Sequence, residues 1–151
     1  MKPLKIFLDS SYLIYLRYSE SDEIFNYVTN FLKEAVKRRD RLFINMVVID
    51  EVLWILTRKY KIALVEVFEL IDRLMPLLDV IPIDYTDYNA MKKTMVNHGL
   101  KPSDALHVSS MTKAGIKQIV SEDGEFDKIP GIRRIWLNTK TTSTCKPSDG
   151  S

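Results

Sequence analysis

Four acidic residues, Asp9, Glu51, Asp104 and Asp123, stand at the ends of short apolar runs or along the buried edge of helical patterns. Asp9 ends the run LKIFL (4 to 8), and Asp123 follows the apolar run at 118 to 120 within VSED. In an open parallel sheet, ligands bind beyond the carboxyl ends of the strands, where the strand order reverses. If these two strands are neighbours at that reversal, both carboxylates enter one crevice. Glu51 lies three residues after Val48 and four before Ile55 in a helical pattern, so it borders the buried stripe. Its neighbour Asp50 turns to water. Asp104 falls in the first turn of a helix, beside Pro102 and Ser103.

Carboxylates at close quarters repel one another and cannot all stay ionised without a cation. The chain has one cysteine and two histidines, which leaves an oxygen donor set suited to Mg2+ or Mn2+. Such ions serve phosphate chemistry by activating water and by holding attacking and leaving oxygens in line. Each acid also has an ordinary structural use. Asp9 could cap the helix after it, and Glu51 could pair with a buried base. Asp104 could complement a helix dipole, and Asp123 could serve a turn before Gly124. Those separate uses do not account for acids recurring around one predicted crevice.

The elements that must position these groups alternate between strand and helix. The run at 4 to 8 reads as a buried strand, followed by a short helix over 12 to 18. Ser21-Asp22 can cap a helix running to about Arg39, with Ile24, Tyr27, Val28, Phe31, Leu32, Ala35 and Val36 at helical spacing. Leu42-Phe43-Ile44 is a second strand, followed by helices over about 47 to 60 and 63 to 75, the latter ended near Pro76. The segment 79 to 83 (DVIPI) is a third strand candidate, and Pro82 places it at a sheet edge or at the strand's own end. Helices are expected over 86 to 97, before Gly99, and over 102 to 114, with Pro102 in the first turn and Gly115 at the end. Residues 118 to 120 and 134 to 137 supply the last two strands. This alternation predicts an α/β fold with a parallel sheet and helices on both faces.

The length, 151 residues, suits one domain that buries roughly 70% of the surface its unfolded chain would expose. The single cysteine, Cys145, excludes an internal disulfide and a cysteine-rich metal site. No stretch reads as a signal peptide or a membrane span, so a cytoplasmic protein is expected. The net charge is only +2, but basic residues cluster at 37 to 41, 58 to 61, 92 to 93 and 133 to 134. Solvated helix ends are the ordinary reading of such clusters, and phosphate contacts the functional one. A domain over 1 to 138 is expected. Residues 139 to 151, rich in Thr, Ser, Pro and Lys, read as a disordered tail.

With these pieces in order, the sequence resembles the PIN-domain family, and within it the VapC-like toxins of toxin–antitoxin pairs. The matching segments are IFLDSSYLIYL (6 to 16), VVIDEVLWIL (47 to 56), KPSDALHVSSM (101 to 111) and IVSEDGEFDKIPGI (119 to 132). The resemblance implies a three-layer α/β/α sandwich around a mostly parallel five-stranded sheet. It places the family's four acids on Asp9, Glu51, Asp104 and Asp123, as catalytic residues and ligands of Mg2+ or Mn2+. Asp127 matches a position that is sometimes acidic and can support the metals, although a solvated loop charge is the preferred reading. A hydroxyl after the first acid falls on Ser10 or Ser11, and Ser121 replaces the usual Thr. Glu122 stands where Asn or Arg is usual, an added negative charge. The implied activity is hydrolysis of RNA phosphodiesters, leaving a 5′-phosphate and a 3′-hydroxyl. The implied partners are an RNA substrate, an antitoxin protein and a second copy in a homodimer.

Other residues carry weaker signals. His107, one turn after Asp104, reads as a packed helix residue, with support of a carboxylate as the alternative. His98 reads as serving its helix end, and Arg17 as a solvated cation rather than a phosphate contact. A housekeeping RNA-processing nuclease and a non-catalytic module binding RNA or protein are the alternative functions. A haloacid-dehalogenase-like phosphatase would also place Asp after the first strand. It needs a second Asp two residues on, where this chain has Ser11.

Overall fold

The computed structural model describes residues 2 to 137. Strand β1 (Lys5–Leu8) is buried after its first residue and leads straight into helix α1 (Ser10–Arg17), because Asp9 caps that helix itself. The helix therefore starts two residues before the expected 12. Helix α2 (Asp22–Arg38) is capped by Ser21, with acids in its first turn and bases in its last. Strand β2 (Arg41–Asn45) passes into helix α3 (Met46–Trp54), whose cap is Asn45.

The single helix expected over 47 to 60 is two pieces: α3 gives way to a π-helical turn at Ile55–Lys59. Helix α4 (Leu64–Leu74) ends in a short 3-10 turn containing Pro76. Strand β3 (Leu78–Ile81) stops before Pro82, which cannot donate to a strand ladder. Helix α5 (Asp87–His98) ends at Gly99, and α6 (Pro102–Ala114) at Gly115. Both glycines adopt positive φ, the left-handed conformation of a helix end. Strand β4 (Gln118–Val120), a 3-10 turn (Gly124–Lys128) and β5 (Arg133–Ile135) complete the described elements.

All the strand pairings are parallel, in the order β3-β2-β1-β4-β5. Right-handed crossovers then carry α1 to α4 over one face and α5 and α6 over the other, the expected three layers. The core runs between them through Phe7, Leu13, Val28, Ile44, Leu56, Met111 and Ile119, each at most 2% exposed. Strand order reverses between β1 and β4, which pair Phe7 with Ile119 and Leu8 with Val120. The backbone N–H of Asp9 continues that pairing by donating to the Val120 carbonyl at 3.1 Å. The two strand ends expected to flank a crevice are thus locked side by side. Among the described residues, no helix is long and apolar enough to cross a membrane. The expected tail, 139 to 151, and Cys145 lie outside the described residues.

Candidate active site

At the carboxyl ends of β1 and β4 opens a cleft of about 390 Å3, lined by Asp9, Ser10, Ser11, Glu51, Lys101, Asp104, Glu122, Asp123 and Gly124. The four acids singled out in the sequence all face it, although they come from four separate parts of the chain. Asp127 does not line it. Its carboxylate accepts two hydrogen bonds from the Arg134 guanidinium, at 3.0 and 3.1 Å, and is drawn away by that pair. Arg17 is likewise engaged elsewhere, with Glu66 at 2.7 Å.

Asp9 is 4% exposed. One carboxylate oxygen, Oδ1, accepts from the Ser10 backbone N–H at 2.8 Å, the capping bond of α1. The other accepts from the Ser121 hydroxyl at 2.5 Å. Ser121, fully buried at the end of β4, also accepts from the Asp123 N–H at 3.0 Å. One hydroxyl therefore ties the first acid to the backbone of the fourth. Asp123 in turn caps the 3-10 turn that follows, accepting from the Glu125 N–H. Structural capping and a place in the cleft prove compatible for both Asp9 and Asp123. Burial pushes the Asp9 carboxyl above its ordinary range, against His107 and the Ser121 and Ser10 hydrogen bonds, and the nearby Glu51 charge pushes the same way as burial.

Glu51 is half-buried on α3, and Asp50 beside it is exposed, as the helical spacing requires. Among the described residues, no lysine or arginine pairs with Glu51; its carboxylate meets His107 Nε2 at 3.2 Å. Burial raises its pKa, but hydrogen bonds from His107, Ser10 and Ser103 outweigh that and hold it below the usual range. Asp104 is 2% exposed in the first turn of α6, and its buried Oδ2 has no hydrogen-bond partner among the described residues. Burial pushes its carboxyl up to about 7, and the charges of Asp9 and Asp123 add to this against Lys101 and His107.

A buried carboxylate oxygen with no donor costs free energy unless something else satisfies it. It belongs to a cleft lined by three other acids, where a bound cation would satisfy it. The cleft acids offer hard oxygen donors, which fit Mg2+ or Mn2+. Oxygen or nitrogen atoms of Asp9, Glu51 and His107 also lie within 4.8 Å of one another.

Sequence reasoning singled out neither Asn45 nor Lys101, and it ranked support of a carboxylate by His107 below packing. His107 is not merely packed: it is fully buried and touches both Glu51 and Asp9, the latter at 3.5 Å. Asn45 contacts His107 from the start of α3, and its place before an apolar helix was the available signal. Lys101 places a cation on the cleft wall, and its position just before Pro102-Ser103-Asp104 marked it. Of the basic clusters, Arg38, Arg41 and Arg134 are paired with Asp40, Asp79 and Asp127.

The PIN domain family model matches residues 6–132. Over 58 residues, the chain is 34% identical to ribonuclease VapC13 of Mycobacterium tuberculosis, covering 38% of this chain and 44% of that protein. The chain thus spans less than half the length of the curated relatives it matches. Among solved structures, VapC20 of Mycobacterium tuberculosis, described as a sarcin-ricin loop cleaving toxin, superposes with a TM-score of 0.67 at 17% identity. That match covers 81% of this chain and 92% of the other. VapBC2 from Rickettsia felis, bound to a DNA fragment from its promoter, gives 0.64 at 16% identity, over 87% and 98% of the two chains. At these identities the structures speak for the fold.

Proposed function

The chain belongs to the PIN-domain family, and from that premise we propose that it is a divalent-metal-dependent endoribonuclease, the toxin of a VapBC-type pair. The observation that carries this reading is the buried, unpartnered Oδ2 of Asp104 in a cleft shared with Asp9, Glu51 and Asp123. Those four acids would hold Mg2+ or Mn2+, and Asp127 is left out because Arg134 engages it. When bound, the ion supplies a Lewis acid that activates water and stabilises charge on the leaving oxygen.

The chain's own groups do the rest. Ser121 and the Ser10 N–H fix the Asp9 carboxylate from behind, so its donor geometry is set before substrate arrives. Lys101 on the cleft wall gives an RNA phosphate a cationic contact beside the acids. Glu122 accepts from the Tyr15 hydroxyl at 2.7 Å, which tethers the one added negative charge at the rim. An antitoxin protein, a homodimer and a cytoplasmic setting belong to the same proposal.

The test is cleavage of a structured RNA by the purified chain with Mg2+ or Mn2+, against the same reaction in chelator and against Asp9→Asn. Cleavage that needs the ion and drops at least roughly a hundredfold in the variant supports the reading. An Asp9→Asn protein that folds and cleaves like the parent refutes it.

A further inference from the structure

We propose that His107 is a positioning residue: its Nε2–H orients Glu51 and Asp9, its tautomer is set by Asn45, and it stays out of the metal's coordination shell. The role rests on the metal-nuclease reading; the tautomer does not.

Asn45 is fully buried, and its Oδ1 accepts the Val48 N–H at 3.1 Å, the capping bond of α3. That bond decides which end of the amide is which, since the reversed amide would set an NH2 against an N–H donor. The Nδ2 group therefore points at His107 Nδ1, 3.1 Å away, and at the Ser110 hydroxyl, 3.0 Å away. Its two hydrogens have two acceptors. Because Nδ2 can only donate, His107 Nδ1 must accept, and the ring proton resides on Nε2.

That proton faces the acids: Nε2 lies 3.2 Å from Glu51 Oε1 and 3.5 Å from Asp9 Oδ1. A protonated nitrogen has no lone pair for a metal. For Nε2 to ligate, the proton would have to move to Nδ1 and confront the Asn45 NH2 in a site closed to water, since Asn45, His107 and Ser110 are all 0% exposed. Two buried donors facing each other leave at least one unsatisfied, which costs about 1–3 kcal/mol. The cluster of Asp9, Glu51 and His107 resembles a mixed nitrogen–oxygen metal site by distance alone. Its hydrogen bonding makes it a carboxylate pair with a histidine donor behind it. The Phe7 ring, 5.3 Å away between centroids, holds the imidazole from the sheet side.

Nitrogen-15 labelling of histidine reads the tautomer directly, and the chain has only two histidines, His98 and His107. Two- and three-bond proton–nitrogen correlations should show His107 protonated at Nε2 and bare at Nδ1, before and after saturation with Mg2+. A proton on Nδ1, or loss of the Nε2 proton when Mg2+ binds, overturns the proposal. Substitution provides the second arm. His107→Gln offers a carbonyl to Asn45 and an N–H to Glu51, whereas His107→Leu offers neither. In calorimetric Mg2+ titrations, Gln should stay within about threefold of the parent affinity and Leu should lose about ten- to a hundredfold. Equal affinities for the two variants refute the positioning role. A parent that binds no Mg2+ overturns the metal reading and the role with it, whereas a wrong tautomer overturns the role alone.

Discussion

Replacing Asp104 by Asn should remove a pH-dependent burden from the folded protein while disabling its response to metal. Burial and the charges of Asp9 and Asp123 hold the Asp104 carboxyl at about 7 instead of 3.8. The folded value lies above the unfolded one, so the folded protein carries the extra proton between those two values. Stability is therefore lost as pH rises from about 4 through about 7, and the loss is complete above that. At about 1.4 kcal/mol per pH unit, the ionised group costs the folded state about 4 kcal/mol at pH 8 and less than 1 kcal/mol at pH 4. Asn cannot ionise, but it leaves an amide in the same unpartnered position, a cost of about 1–3 kcal/mol at every pH. The variant should thus exceed the parent by about 1–3 kcal/mol at pH 8 and lose that advantage near pH 4. Thermal unfolding without metal, followed by circular dichroism across this range, measures the gap between the two proteins. At about 2–4 °C per kcal/mol, the difference in Tm should shift by roughly 6–15 °C in the parent's favour from pH 8 to pH 4, enough to reverse its sign. Adding Mg2+ at pH 8 should raise the parent's Tm, by about 2.7 kcal/mol equivalent at a hundredfold excess over Kd, and leave the variant nearly unmoved. A gap that does not change with pH would refute the claim that Asp104 is held protonated by its surroundings.

Ser121→Ala should cost about 1–3 kcal/mol in denaturant unfolding, because Asp9 Oδ2 and the Asp123 N–H lose their shared partner, and should weaken Mg2+ binding about tenfold by calorimetry. Unchanged affinity would mean that the hydroxyl does not set the Asp9 carboxylate. Asp127→Asn should leave the Mg2+ titration where it is and change stability by less than about 1 kcal/mol, since its side chain is 58% exposed in a surface pair. A tenfold weaker affinity would return Asp127 to the ligand set. Phe7→Ala, at the fully buried centre of the sheet, should destabilise by about 3–5 kcal/mol in the same unfolding experiment. A loss under about 1 kcal/mol would show that the core around β1 collapses to fill the space.

Local chemistry in the sequence was enough for the alternation of strand and helix. Ser21 and Pro102 mark helix starts and Gly99 and Gly115 mark helix ends through bonds and dihedrals that involve only near neighbours in the chain. The same local logic set Asp9 and Asp123 at strand ends and Asp104 at a helix start, and turned Glu51 inward and Asp50 outward. It stretched the third helix too far, because the π-helical turn at Ile55–Lys59 is a hydrogen-bond shift with no periodicity of its own. Everything that makes the cleft a cleft is long-range. The order β3-β2-β1-β4-β5 seats Asp123 beside Asp9, and Ser121 reaches a carboxylate 112 residues away. His107 finds Asn45 across 62 residues and Glu51 across 56. Residue type announces that a side chain can donate, accept or carry charge, but which partner it meets depends on direction in space. Asp127 shows this: its type and position suit a metal, yet the fold turns Arg134 toward it, and a satisfied carboxylate has less reason to hold an ion.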